Sequence, residues 1–154
     1  MKILAIDPGN KESAYVLMDG YEIVEFDKVN NEFLLYYIDK LRQREEFHAV
    51  IEMVASYGLP VGKDVFETCV FIGRIIEHCK SHDFMYRKDV KMNLCHTLKG
   101  TNDTTVKHAL IDRFAMHDFR TGKGTKKNND WFYGFSNDVW SAYAVGVTYL
   151  DNRR

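Results

Sequence analysis

Long apolar runs are missing from this sequence. The longest apolar stretches fall far short of the roughly 18 residues that a membrane-spanning helix requires. The chain opens with Met1 and Lys2 and passes directly into a short apolar run, which leaves no room for a secretory signal peptide. These two absences argue against a membrane-spanning helix and predict a cytoplasmic protein.

Cysteine is also scarce. The three cysteines, Cys69, Cys79 and Cys95, form neither a C-x-x-C pair nor the spacing of a zinc site. An odd number of cysteines fits reduced thiols in a cytosol. Because each lies in an apolar stretch, we expect all three to be core or near-core residues without a chemical role.

An excess of charge of either sign is absent, since the formal net charge is −1. That value neither favours nor excludes a polyanionic partner. The distribution is more informative, because residues 120–127, RTGKGTKK, carry four positive charges and no acid, and more lysines lie between residues 80 and 107. A cationic second half is typical of a nucleic-acid-binding face, and equally of solvated loops and helix surfaces.

What the sequence does contain is an ordinary globular composition, with 45% hydrophobic and 14% aromatic residues, which predicts one domain spanning residues 1–154. Its apolar patterns predict five strands, at residues 2–6, 13–18, 21–26, 48–54 and 84–87. They also predict five helices, at residues 31–44, 65–79, 89–96, 104–116 and 139–150. A polar Gly- and Lys-rich stretch, residues 117–129, predicts a mobile loop. The order βββ-α-β-α-β-α-α-α indicates a mixed α/β domain.

Three acids interrupt apolar patterns. Asp7 ends the first strand, Glu52 lies inside the fourth, and Asp138 opens an apolar helix. Alone, Asp7 has an ordinary role in an Asx-turn and Asp138 as a helix cap, whereas Glu rarely lies in a buried strand without a partner. If the first and fourth strands are parallel neighbours, the acids meet at one edge of the sheet. Oxygen-only ligands then predict a Mg²⁺ or Mn²⁺ site, the kind used in phosphodiester chemistry.

In their order and spacing, several segments together resemble the RuvC-type Holliday-junction resolvases of the RNase H-like superfamily, in a phage-type version. The segments that carry the resemblance are ILAIDPGNKESAYVL, AVIEMV, FETCVFIGRIIEHC, RKDVKMNLCHTLKGTNDTTVKHALIDRF and NDVWSAYAVGVTYL. The resemblance implies an α/β RNase H-like fold: a mixed five-stranded sheet, antiparallel in its first three strands and parallel in the remainder, flanked by helices.

The resemblance also implies an activity, that of a Mg²⁺- or Mn²⁺-dependent endodeoxyribonuclease. It would act as a homodimer in the cytoplasm, or in the host cytoplasm if phage-encoded, and resolve four-way junctions by phosphodiester hydrolysis. A less selective nuclease for flaps or other branched DNA is the nearest alternative. A catalytically weak or inactive branched-DNA-binding protein of the same fold is an alternative of a different class.

Carried over position by position, the resemblance makes Asp7, Glu52 and Asp138 metal ligands and places Lys91 beside the metal as a further catalytic residue. Where the family has a second acid three residues into the last helix, this chain has Ser141, which can make only a weak or water-mediated metal contact. This departure leaves reduced metal affinity, a preference for Mn²⁺ or loss of activity open. Lys107 is expected to be a surface lysine.

Three further groups of residues are candidates for binding. The candidates for phosphate contacts are Lys88, Lys91, Lys99, Arg120, Lys123, Lys126 and Lys127. The aromatic residues Trp131, Phe132 and Tyr133 can stack on an unpaired base, or pack on the core. The second predicted helix offers apolar residues for the dimer interface or for the core, namely Val65, Phe66, Cys69, Val70, Ile72 and Gly73.

Overall fold

A computed structural model describes residues 1–153, and its centre is a five-stranded mixed sheet. The strands are β1 (Lys2–Asp7), β2 (Glu12–Asp19), β3 (Glu22–Asn30), β4 (Phe47–Met53) and β5 (His82–Tyr86). They lie in the order β3-β2-β1-β4-β5. The first three strands pair antiparallel, whereas β4 is parallel to β1 and β5 is parallel to β4. The predicted sheet is therefore confirmed.

Within residues 1–153, five helices accompany the sheet, and each was predicted to within a few residues. They are α1 (Asn31–Arg44), α2 (Lys63–His78), α3 (Arg87–Cys95), α4 (Asp103–Phe114) and α5 (Asp138–Asn152). Side-chain caps set two of their beginnings: Asn30 accepts a hydrogen bond from the Phe33 backbone N–H, and Asn102 forms a reciprocal capping box with Thr105. No helix among residues 1–153 has the length and apolar character needed to cross a bilayer.

The sheet is buried on both faces by alternating side chains. On β1, Leu4 and Ile6 pack in the apolar cluster beneath α1 and α2, whereas Ile3 and Ala5 pack in the cluster beneath α5. Helix α5 lies close to the strands at Gly146, where an added Cβ would meet Met18 and stand 3.1 Å from the Ala5 Cβ. Helix α5 is therefore packed tightly against the sheet.

The polar stretch that precedes α5 is hydrogen-bonded rather than loose, which corrects the predicted mobile loop. The side chain of Asp130 is fully buried and accepts hydrogen bonds from the backbone N–H groups of Met116, His117, Asp118 and Trp131. Burial opposes ionisation of Asp130, but these N–H donors outweigh it and hold the pKa of this carboxyl well below its usual range. The Asp130 carboxylate thus holds both ends of the predicted loop, residues 117–129, in place.

Candidate active site

Asp7 and Glu52 lie side by side at the carboxyl ends of two parallel strands. Strands β1 and β4 pair in register up to Ile6 and Ile51, so the next residues are these two acids. Strand alternation points both toward the α5 face, the face that Ala5 and Val50 share. Their carboxyl groups are within hydrogen-bonding reach of each other. The register of the sheet therefore brings Asp7 and Glu52 together, as expected from the sequence.

A tight turn after Asp7 is held by two buried polar residues. An added Cβ on Gly9 would collide with the backbone of Glu12, so the turn requires glycine. The Gly9 N–H donates to Ser13 Oγ at 3.1 Å, and the Gly9 carbonyl accepts from Asn31 Nδ2 at 2.9 Å. Ser13 in turn donates to Asn31 Oδ1 at 2.7 Å. These contacts fix the end of β1, and sequence reasoning missed both residues.

The charges at Asp7 and Glu52 are incompletely compensated by the protein. Burial raises the pKa of Asp7 well above its usual range, and the neighbouring carboxyls of Glu52 and Asp138 raise it further. Burial also raises the pKa of Glu52, against the opposing effect of Arg87. Within residues 1–153, Glu52 Oε1 and Arg87 Nη1 are buried without a hydrogen-bond partner and stand 3.8 Å apart. A donor set of adjacent, under-neutralised carboxylate oxygens fits a hard divalent cation.

Asp138 lies beside this pair but is held by a lysine. Its Oδ2 is 2.9 Å from Nζ of Lys28, and this hydrogen bond and charge raise the pKa of Lys28. Nothing in the sequence pattern indicated Lys28. In the part of the chain that the structure describes, no three side chains of His, Cys, Asp or Glu are grouped to hold a metal ion. The three-acid metal site thus stays a prediction, with two members adjacent and the third ion-paired.

Asp138 and Ser141, one helical turn apart on α5, both line a cleft of about 410 Å³. The cleft is also lined by Lys28, Arg87 and Lys107. Lys107 was expected at the surface; instead it is half-buried, with its Nζ 4.9 Å from the centre of the Trp140 ring. Ser141 therefore lines a cleft together with three basic side chains.

Lys91 lies on the other side of Arg87 from that cleft. It lines a second cleft of about 360 Å³ together with Tyr57, Arg87, Lys88 and Leu98. Its positive charge acts on Glu52 and opposes the rise in the pKa of that acid. Lys99 follows in the exposed connection between α3 and α4. The candidate phosphate-binding residues Lys88 and Lys91 therefore border the acidic site.

The other basic candidates lie in the segment that follows α4. Asp103, at the start of α4, lines the first cleft, whereas Arg120, Lys123, Lys126 and Lys127 follow the opposite end of α4. Twelve helical residues span about 18 Å. None of these four residues lines either cleft. The predicted phosphate contacts thus divide into a group at the acids and a group beyond α4.

Of the two roles that the sequence left open for the three aromatic residues, Phe132 has core packing and not stacking on a base, because it is completely buried in the core beneath α5. Trp131 is half-buried, stacks on Phe114 with ring centres 5.3 Å apart, and donates from Nε1 to the Tyr143 hydroxyl at 3.1 Å. Only Tyr133 is exposed. Because hydrogen bonds to Asp130 hold the neighbouring backbone against the core, the rings of Trp131 and Phe132 pack inward.

Helix α2 presents an apolar stripe to solvent. Phe66 and Val70 are 60% and 68% exposed, and Cys69 and Gly73 are exposed beside them. Ile72 is buried on the opposite side of α2, so it is a core residue and not an interface residue. The exposure of Cys69 also corrects its predicted place in the core. A groove of about 1090 Å³ runs beside this stripe, toward the start of α1.

Comparison with known proteins finds a likeness of fold. No family model and no curated protein sequence matches the chain. Thermus thermophilus RuvC in complex with a Holliday junction substrate is similar with a TM-score of 0.71 at 10% identity, covering 99% of this chain and 95% of that one. Another structure of Thermus thermophilus RuvC is similar with a TM-score of 0.69 at 11% identity, covering 99% and 96%. The chain therefore has the RuvC-like, RNase H-like fold that the sequence predicted, whereas the phage-type subgroup stays a prediction.

Proposed function

We propose that this protein is a Mg²⁺- or Mn²⁺-dependent endodeoxyribonuclease that resolves Holliday junctions or other branched DNA by hydrolysing phosphodiester bonds. The proposal is carried by Asp7 and Glu52, two adjacent under-neutralised carboxylates at the carboxyl ends of parallel strands. It is supported by the fold, which is like that of a RuvC bound to a Holliday junction substrate.

The site residues have distinct roles in this proposal. Asp7 and Glu52 would hold the divalent ion, with Asp138 as the third acid of the site beside them, and such an ion would supply a nucleophilic water and neutralise phosphate charge. Lys91, which lies close enough to Glu52 to affect its pKa, orients the phosphate group as a point charge. Lys88 and Lys99 extend the cationic surface along the DNA backbone.

Two-fold symmetry completes the proposal. A homodimer presents two equivalent sites to a four-way junction, which itself has two-fold symmetry. The exposed apolar stripe of α2, Phe66, Cys69, Val70 and Gly73, supports an interface between two copies of the chain.

Cutting assays on defined DNA structures test the proposal. A four-way junction, a flap and a linear duplex are each incubated with the protein and Mg²⁺ or Mn²⁺, and the assay is repeated with Asp7→Asn. We expect paired, symmetric nicks in the junction that Asp7→Asn abolishes. The matched control is Asp19→Asn, which changes an exposed acid at the opposite end of the sheet and should cut normally. Equal cutting of all three substrates would replace the resolvase with a less selective nuclease.

A second candidate, a branched-DNA-binding protein without useful cleavage, is favoured by one observation. Asp138 is paired with Lys28, and the next residue on its helix face is Ser141 rather than an acid. This candidate predicts tight junction binding with no cutting in either metal. Any cleavage that depends on Asp7 rules it out.

A further inference from the structure

The ion pair between Lys28 and Asp138 gives the site a built-in cation. We propose that the Lys28 ammonium group takes the place of a second metal ion, an inference that rests on the proposed nuclease function. Each site then binds a single divalent ion, at Asp7 and Glu52, and Lys28 supplies the other positive charge at Asp138. Lys28 is thus a catalytic residue that contacts the reacting phosphate.

Sheet register places Lys28 in line with the two acids. Glu52 follows Ile51 on β4, Asp7 pairs with Ala14 on β2, and Ala14 pairs with Lys28 on β3. Residues that face one another across a sheet point to the same side, so all four lie under α5. Strands are about 4.8 Å apart, which puts the backbone of Lys28 about 10 Å from that of Asp7. The intervening Ala14 has only a methyl side chain, and Lys28 therefore reaches over it.

The ammonium group lies where a phosphate can reach it. Lys28 Nζ is 2.9 Å from Asp138 Oδ2, and both residues line the 410 Å³ cleft together with Ser141. An ammonium group has three N–H donors, and the contact with Asp138 uses one of them. The side chains of Lys28 and Asp138 remain 35% and 50% exposed, so solvent and substrate have access. The contact thus positions the lysine without enclosing it.

The balance of charge around the cleft favours one divalent ion over two. The ionisable side chains at the site, when all are charged, sum to zero: Asp7, Glu52, Asp138 and Asp103 against Lys28, Arg87, Lys91 and Lys107. One divalent ion already makes this balance positive, which suits an anionic phosphodiester. A second ion bound by Asp138 would stand next to the Lys28 ammonium group, which lies 2.9 Å from Asp138 Oδ2, and neighbouring like charges repel.

Phosphodiester hydrolysis at such a site is helped by a second positive charge, which a metal ion or a side chain can supply. In hydrolysis, the oxygen of a water forms a bond to phosphorus and the water releases a proton to solvent, while the bond from phosphorus to the leaving oxygen breaks and that oxygen takes up a proton from solvent. A second cation in such sites stabilises negative charge on the leaving oxygen. A lysine ammonium, as a point charge with several donors, provides the same stabilisation. The position of Lys28 on Asp138 gives it this role.

Counting bound Mn²⁺ ions tests the assignment directly. Mn²⁺ is titrated into the full-length protein, and stoichiometry is read by isothermal titration calorimetry and by the electron paramagnetic resonance of free Mn²⁺. We expect one ion per wild-type chain and two for Lys28→Met/Ser141→Asp, in which Asp138 is released and an acid is added one turn along α5. Lys107→Met is the matched control, because Lys107 lines the same cleft but lies over Trp140, and it should still bind one ion.

Cutting rates give the second readout. At saturating junction and metal, Lys28→Met should cut about 100-fold more slowly, as when one transition-state donor is removed. Lys28→Arg keeps the charge, so its cutting rate should fall by less than about 10-fold. Lys28→Met/Ser141→Asp should regain cutting activity because it binds a second ion. Far-ultraviolet circular dichroism checks that each variant is folded, which is expected for an exposed strand residue.

The outcomes separate this inference from the proposed nuclease function. Two ions per wild-type chain, or wild-type cutting by Lys28→Met, would overturn the role of Lys28 while leaving a functioning nuclease. A single ion in Lys28→Met/Ser141→Asp, bound with wild-type affinity, would overturn it as well. If wild-type protein binds no Mn²⁺ and cuts no DNA, both proposals are wrong.

Discussion

Lys28 on β3 and Asp138 in the first turn of α5 form an ion pair with 2.9 Å between Nζ and Oδ2. The pair joins an edge strand of the sheet to the helix that covers it. Both side chains keep substantial solvent exposure, so the pair contributes at most about 1 kcal/mol to stability. Its importance is therefore expected in the chemistry of the cleft rather than in the stability of the fold.

Metal binding should stabilise the wild-type protein and not the Asp7→Asn variant. A ligand at 100 times its dissociation constant raises the free energy of unfolding by about 2.7 kcal/mol. In Asp7→Asn, one of two adjacent carboxylates is neutral, so the metal-free protein should be at least as stable as wild type but gain little from Mn²⁺. Thermal unfolding with and without Mn²⁺ measures both effects. An equal gain in the two proteins would place the ion elsewhere.

The exposed stripe of α2 should control the oligomeric state. Phe66→Asp or Val70→Asp places a charge on a surface that would be buried between two copies, and we expect a monomer by size-exclusion chromatography with light scattering. Met116→Asp is the control, because Met116 is 73% exposed but follows α4 rather than lying on α2. A wild-type monomer at all concentrations would contradict the dimer.

The two groups of basic residues should separate binding from cutting. Lys126→Ala/Lys127→Ala removes charges beyond the far end of α4, so the slope of log affinity against log salt should fall by about 2 if both contact phosphates. The cutting rate at saturating DNA should not change. Lys91→Ala, next to Glu52, should instead lower that rate. Filter-binding and single-turnover assays over a range of salt concentrations measure the two parameters. An unchanged slope in the double variant would show that the loop does not contact DNA.

Two helical glycines should respond oppositely to substitution. Gly146→Val forces a branched side chain against Met18 and Ala5 and should cost about 1–3 kcal/mol of stability. Gly73→Ala, on the exposed face of α2 with nothing within 4 Å of the added Cβ, should stabilise by about 0.5–1 kcal/mol. Urea unfolding of both variants gives the comparison. Similar values for the two would contradict close packing of α5 on the sheet.

Asp130 should make stability depend on pH in the acid range. Its pKa is depressed in the folded state, so its contribution is fully present above the unfolded value of about 3.9 and is lost as pH falls below that value. Asp130→Asn should lower stability by about 2 kcal/mol at pH 7, because charge-assisted bonds to backbone N–H groups weaken. The difference from wild type should shrink below about pH 4. Asp112→Asn, an exposed acid on α4, is the control in thermal unfolding scans from pH 2 to 8.

Local patterns in the chain were sufficient to predict the elements and the two central acids. Strands and helices appeared as apolar periodicities bounded by caps and turns, and their order was enough to predict a mixed sheet. Asp7 and Glu52 stood out because a carboxylate is costly inside an apolar run. These features depend on residues that are neighbours along the chain, so they could be predicted without a structure.

Which distant side chains meet depends on the three-dimensional fold. The pairing of Lys28 with Asp138 depends on the register of three strands and the position of α5, and no local pattern marks either residue as a partner. The burial of Phe132 likewise follows from the hydrogen bonds that Asp130 makes to segments on both sides. Each outcome depends on distances across the fold, since hydrogen bonds, ion pairs and packing act in space and not along the chain.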